Sequence, residues 1–146
     1  MLVGTRGLRN VSRRLVIELA LVVLLAGFPV DFPRHTSAGK AWSFVFAHPS
    51  VLLHVVIGAL ALTEAVVFVV RATPTRRPRL LIVAGLGLVS TLVAFGSGIG
   101  YVGGGQGDLA LTLMTVGWVA AMVTYVVGWV LGRRSMRAER PNVAVG

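Results

Sequence analysis

Three ionisable side chains interrupt the long apolar runs of this 146-residue chain: Glu18, His54 and Glu64. Charged or titratable groups inside a hydrocarbon span are costly, so they face protein, water or one another. Glu18 lies within a turn of the cytoplasmic start of the first run. Glu64 lies within two turns of the cytoplasmic end of the second. Both fall in one inner layer, at the level of Thr124 and Tyr125 in the fourth run. Glu18, Glu64 and Tyr125 are therefore candidates for a proton or cation site between helices. The plainer arrangement has Glu18 paired with Arg14, one turn away, and Glu64 paired with Arg71 or a backbone group.

His54 belongs to a different layer, about one turn below the outer surface. Gly58 follows it on the same helix face. Gly96 and Gly100 of the third run, and Met114 and Trp118 of the fourth, lie near the same depth. Imidazole and thioether sulfur are both axial ligands of haem iron, and glycine lets a porphyrin lie against backbone. His54, Met114, Gly58, Gly96, Gly100 and Trp118 thus form a candidate haem b layer. His48 projects about 120° from His54 on a helix, so the two cannot clamp one haem from opposite sides. His35 lies in the outer loop and could fold over. The alternative is a hydrogen-bonded packing histidine and a gap-filling methionine. The same residues could hold Cu or Zn with His35 and His48, but no HxxxH or carboxylate–His spacing supports this and the chain has no Cys, so no metal site is assigned. No nucleophile–base pair or phosphate-binding loop is recognisable, so no catalytic residue is assigned and hydrolase or kinase chemistry is disfavoured.

These residues need elements to hold them at fixed depths, and the hydropathy supplies four: residues 15–32, 49–70, 80–102 and 109–131. All but the first are about 20 residues or longer, enough to cross a hydrocarbon core of about 30 Å. The charge pattern orients them. Arg6, Arg9, Arg13 and Arg14 precede the first run; Arg71, Arg76, Arg77 and Arg79 separate the second and third; Arg133, Arg134, Arg137 and Arg140 follow the fourth. Only Arg34 and Lys40 fall in the other connections. Short cytoplasmic loops retain Lys and Arg. The expectation is an all-α four-helix transmembrane bundle with both termini cytoplasmic. A basic arm over residues 1–14 precedes it and a disordered basic tail over 132–146 follows. The Arg13-Arg14 pair before an apolar run also resembles a secretory signal, but no small-x-small cleavage site closely follows. The outer loop 34–47, with Trp42, Phe44 and Phe46, suits a short helix or hairpin in the interfacial aromatic belt.

Small residues let membrane helices approach closely. At about 100° per residue, His54, Gly58, Ala61 and Ala65 form one stripe. Gly85, Val89, Leu92, Gly96 and Gly100 form a second. Met114, Gly117, Trp118, Ala121, Tyr125 and Gly128 form a third. All three are expected to face the bundle interior.

Mean hydropathy of +0.84 and 55% hydrophobic residues exceed what a soluble domain of this size needs. The net charge of +9 then reads as a topology signal facing anionic lipid, not as a nucleic-acid surface. The 13 Arg to one Lys suggests a GC-rich bacterial source and hence the bacterial cytoplasmic membrane. The expected partners are membrane lipid and either a protein partner or further copies of the chain.

The stretch from Ala47 through His48, Pro49 and His54 to Gly58, followed by a span, a basic turn and a glycine-rich span, resembles small bacterial four-helix membrane proteins of uncharacterised function. It is distantly similar to membrane b-type cytochromes, in which a His-xxx-Gly helix element supplies an axial ligand. That resemblance covers the second helix and the four-span layout, and carries across only His54 and Gly58. Those cytochromes pair histidines on facing helices, whereas the other spans here hold none, so Met114 would have to substitute. Small multidrug transporters are similar in having four short spans and a glutamate in the first, matched by Glu18. Three functional classes follow: a non-catalytic accessory or structural subunit of a membrane complex, a small b-type-haem electron-transfer protein acting near the outer face, and a proton- or cation-coupled small-molecule carrier.

Overall fold

A computed structural model describes residues 2–27, 31–33, 36–104 and 107–138. Among them the chain is helical throughout: α1 (Leu2–Ala26), α2 (Ala38–Ala47), α3 (Pro49–Ala72), α4 (Pro78–Gly103) and α5 (Asp108–Ala138), with a short 3-10 turn at Thr73–Thr75. Proline sets the boundaries. Pro49 and Pro78 occupy the first turns of α3 and α4, where a missing N–H costs nothing. Between α3 and α4 the chain reverses through Arg76 in the left-handed region, at φ 51°.

Three helices are long and apolar enough to cross a membrane: Pro49–Thr75, Pro78–Gly103 and Asp108–Arg133. Each, at 26 or 27 residues, extends well beyond the roughly 30 Å of hydrocarbon at about 1.5 Å per residue. The first expected span does not meet this standard. The apolar part of α1 begins after Arg13 and Arg14, is interrupted by Glu18, and stops at Ala26. The expected basic arm is also corrected, because residues 2–14 are helical and belong to α1. Leu8, Val11, Ser12, Leu15 and Leu19 recur at helical spacing and are buried in the core. The C-terminal segment is helical through Ala138, and the remainder of the expected tail lies outside the described residues.

Side-chain contacts fix the helix directions. The Arg71 guanidinium lies over Gly7, and Gly132 lies against Arg9, so the start of α1 meets the ends of α3 and α5. Gly128 packs against Val83, and Gly98 against Met114, so α4 and α5 are antiparallel. The bundle therefore runs α1 up, α3 down, α4 up and α5 down. Arg9, Arg71 and Arg133 share one end, and Arg133 stacks on Trp129 with its guanidinium carbon 4.0 Å from the ring centre. The opposite end carries α2, whose Ala41 and Val45 are buried against Val102, Val51 and Val55. The expected outer-surface element at 34–47 is thus a helix over its second half.

The core joins α1 to Ala61, Ala65, Phe68 and Ala72 of α3, Leu80 and Ala84 of α4, and Ala121 and Tyr125 of α5. Two of the expected small-residue stripes face it. The α4 stripe does not: Val89 and Leu92 are exposed, and a Cβ placed on Gly85, Gly96 or Gly100 meets nothing within 4 Å. The interior face of α4 is Leu80, Ala84, Gly87, Thr91 and Val102. The outward faces carry large apolar side chains on every long helix, among them Ile17, Leu60, Leu86 and Val123. Soluble monomers rarely expose such continuous apolar surface. With the three spanning-length helices, it marks a multi-pass membrane protein.

Candidate functional site

The helices separate in the half of the bundle remote from the basic end and leave a cavity of about 390 Å³. Its walls come from α1, α3, α4 and α5, and Trp42 of α2 and Phe32, which precedes α2, lie at its upper end. Ala61 and Gly58 on α3, with Ala94 and Gly98 on α4, are too small to fill the space between the helices. The walls are almost wholly apolar. Five aromatic residues contribute: Phe32, Trp42, Phe95, Tyr101 and Trp118. Val23 and Ala26 of α1, Ile99 of α4 and Leu111 and Thr115 of α5 line the cavity and are also exposed, so its walls continue to the bundle surface.

His54, Gly58, Met114 and Trp118 of the proposed haem layer all line this cavity. Gly98 clears space for Met114, since a Cβ there would lie 3.4 Å from the thioether sulfur. Gly58 is covered by the Phe95 ring. Gly96 and Gly100 are placed elsewhere, on the exposed face of α4, and give no clearance inside. His48 turns away into its own corner: its ring stacks on Phe44 with centroids 3.7 Å apart, and its Nδ1 lies 2.9 Å from the Phe44 carbonyl. His35 lies outside the described residues.

Several polar groups of the cavity are engaged within the protein, while the Trp42 indole N–H and the Tyr101 hydroxyl have no hydrogen-bond partner among the described residues. Trp118 Nε1–H donates to the Leu19 carbonyl at 2.8 Å. Thr115 donates to Leu111 O, and Thr91 to Gly87 O. His54 Nδ1 lies 3.0 Å from the Val22 carbonyl. A carbonyl only accepts, so Nδ1 carries the proton, and in the neutral ring Nε2 presents a lone pair. Nε2 has no hydrogen-bond partner among the described residues, and the Tyr101 ring, packed 5.6 Å from Phe32 between centroids, lines the same cavity. A single aromatic acceptor held in an apolar cavity can accept a hydrogen bond or ligate a metal. Among the described residues no nucleophile is hydrogen-bonded to it.

The glutamates form a separate group. Neither Glu18 nor Glu64 lines the cavity. Arg14 pairs with Glu64 across α1 and α3 at 3.4 Å, not with Glu18 as the one-turn spacing suggests. Arg71 is at Gly7. Glu18 Oε2 is buried without a hydrogen-bond partner among the described residues. Tyr125, grouped with the glutamates by depth, is instead committed to packing. Its hydroxyl lies 3.2 Å from Thr91 Oγ1; with the Thr91 proton given to Gly87 O, Tyr125 is the donor. Its ring meets Phe68 edge-on and occupies the space that a Cβ on Gly87 would need.

Sequence reasoning missed Thr91, Ala94, Phe95 and Gly98, the α4 wall of the cavity. Their spacing of three and four residues is a helical face, and Thr91 is its polar marker. No protein-family model matches this chain, and neither the curated proteins nor the solved structures include a match.

Proposed function

We propose that the chain is a non-catalytic accessory or structural subunit of the bacterial cytoplasmic membrane, embedded as four helices with the basic end and both termini in the cytoplasm. Under this reading α1 completes the crossing by packing Leu8–Leu19 against α3 and α5, with Arg13 and Arg14 at the inner head groups. The observation that carries the accessory reading is the open face of α4. Gly85, Gly96 and Gly100 lie on an apolar outer surface with nothing close to them, where a helix of a partner or a second copy could approach backbone to backbone. The chain has no Cys, so single cysteines at Leu92 or Ile99 give a clean cross-linking reporter in native membranes. Specific cross-links that vanish in a Gly96→Ile, Gly100→Ile variant support the reading; a monomer without cross-links to any neighbour refutes it.

A second reading is a small b-type-haem protein passing electrons near the outer face. It draws on the convergence of His54, Gly58, Met114 and Trp118 on one cavity. The fit is incomplete: Gly96 and Gly100 face away, and among the described residues no Arg or Lys lines the cavity to meet the porphyrin carboxylates. The visible spectrum of protein expressed with ample haem, oxidised and dithionite-reduced, tests it. A featureless spectrum removes haem. The carrier reading rests on Glu18 and Glu64, which sit apart from the cavity. Unchanged pH-gradient-driven transport in a Glu64→Gln variant would remove Glu64 from any coupling role.

A further inference from the structure

The cavity beside His54 has a chemistry narrower than its apolar walls suggest. His54 Nε2 is an unengaged acceptor there, because the Val22 carbonyl fixes the proton on Nδ1 and leaves that lone pair free, while the Trp42 N–H and the Tyr101 O–H are donors that a hydroxyl oxygen can also accept from. The indole N–H of Trp118, which could have donated to a ligand, is already given to Leu19 O. The hydroxyls of Thr91 and Thr115 donate to their own helix carbonyls. A ligand made only of acceptors, such as an ester or a ketone, leaves Nε2 unpaired in an apolar site, which is costly. A ligand carrying an O–H satisfies it. The ligand body is constrained as well. Phe95, Trp118, Trp42 and Phe32 are among its walls, and aromatic rings gain from edge and offset contacts with one another. Val23 of α1 and Leu111 of α5 both line the cavity and are exposed on apolar outer faces. The route of entry is therefore from lipid, given the membrane embedding proposed above.

We infer that the cavity binds a lipid-soluble aromatic alcohol, a phenol or hydroquinone head bearing an apolar tail, with its hydroxyl donating to His54 Nε2 and the tail leaving toward the lipid.

The test compares a long-chain 4-alkylphenol with its methyl ether, which keeps the shape and loses only the donor. Each is titrated calorimetrically into the full-length protein in detergent micelles, against a micelle-only blank. Saturable binding of the phenol is expected, with the ether about three- to tenfold weaker, the range of one net hydrogen bond. In a His54→Leu variant that preference is expected to disappear. The measured quantity there is a ratio of two ligands on one protein, so a partly destabilised variant still reports it. Equal binding of phenol and ether by the unaltered protein overturns the proposal without any variant. So does a preference that survives in His54→Leu, or uptake that never saturates above the blank. A Soret band in the purified protein also overturns it, because iron would then occupy Nε2. Failure of the embedding itself would appear separately, as release of the chain from membranes by alkaline carbonate.

Discussion

The closest approach of α4 and α5 is at Gly117, and replacing it by alanine should measure what that approach contributes. A Cβ on Gly117 would lie 2.8 Å from the Ala94 backbone nitrogen and 2.9 Å from the Ser90 carbonyl oxygen, whereas ordinary contact begins at 3.4 Å. Both obstructing atoms are main chain in the facing helix, so no rotamer change relieves them. The helices must part by roughly half an ångström along the seam, and overpacking of this kind costs about 1–3 kcal/mol. Gly96→Ala supplies the control, since its Cβ meets nothing within 4 Å. The helix-propensity gain of about 1 kcal/mol is common to the two changes, so their difference isolates the clash. Equilibrium unfolding in mixed detergent micelles, followed by far-ultraviolet circular dichroism, should place Gly117→Ala about 1–3 kcal/mol below Gly96→Ala. Equal stability of the two variants would refute the seam as described.

Tyr125→Phe should cost about 1 kcal/mol in the same assay, the net worth of one buried hydrogen bond, because it removes the donor to Thr91 and leaves the ring in place. Glu64→Gln should change stability by less than about 1 kcal/mol, since Arg14 is largely exposed and exposed ion pairs contribute little; a larger loss would mean that the pair is shielded in the bilayer. Single cysteines at Gly39 and at Arg76 should react oppositely with a membrane-impermeant maleimide in intact cells, the first labelled and the second protected. Trp118→Phe should loosen α1 from α5 and cost about 1 kcal/mol, read as earlier protease cleavage within α1.

The gathering of Arg9, Arg71 and Arg133 at one end, and helix starts within two residues of Pro49, Pro78 and Asp108, were legible because proline geometry and charge asymmetry are local signals. The inward faces of α3 and α5 were legible too, since Ala61, Ala65, Gly117 and Ala121 are small where their neighbours are bulky. The phase of α4 was not. In a span that is apolar all round, periodicity carries no direction, and glycines stand on both faces; Gly87 and Gly98 face in while Gly96 and Gly100 face out. Thr91, the one buried polar residue of α4, was the better guide. For α1 the arginines masked a regular core-facing row from Leu8 to Leu19. The pairing of Arg14 with Glu64 depended on which helices are neighbours, which no spacing along one helix encodes.

The side-chain bonds from His54 and Trp118 both end on main-chain carbonyls of α1, at Val22 and Leu19. Every residue type offers the same acceptor there. The specification of how α1 docks is therefore written in α3 and α5, while α1 itself carries only shape and hydrophobicity at those two positions. Drift at Leu19 and Val22 among apolar residues leaves the docking instruction untouched, whereas a single change at residue 54 or 118 erases half of it. The outer turn of the first helix around Val22 is thus its permissive part, and the place where a designer could alter the wall of the cavity while leaving the core row from Leu8 to Leu19 in place.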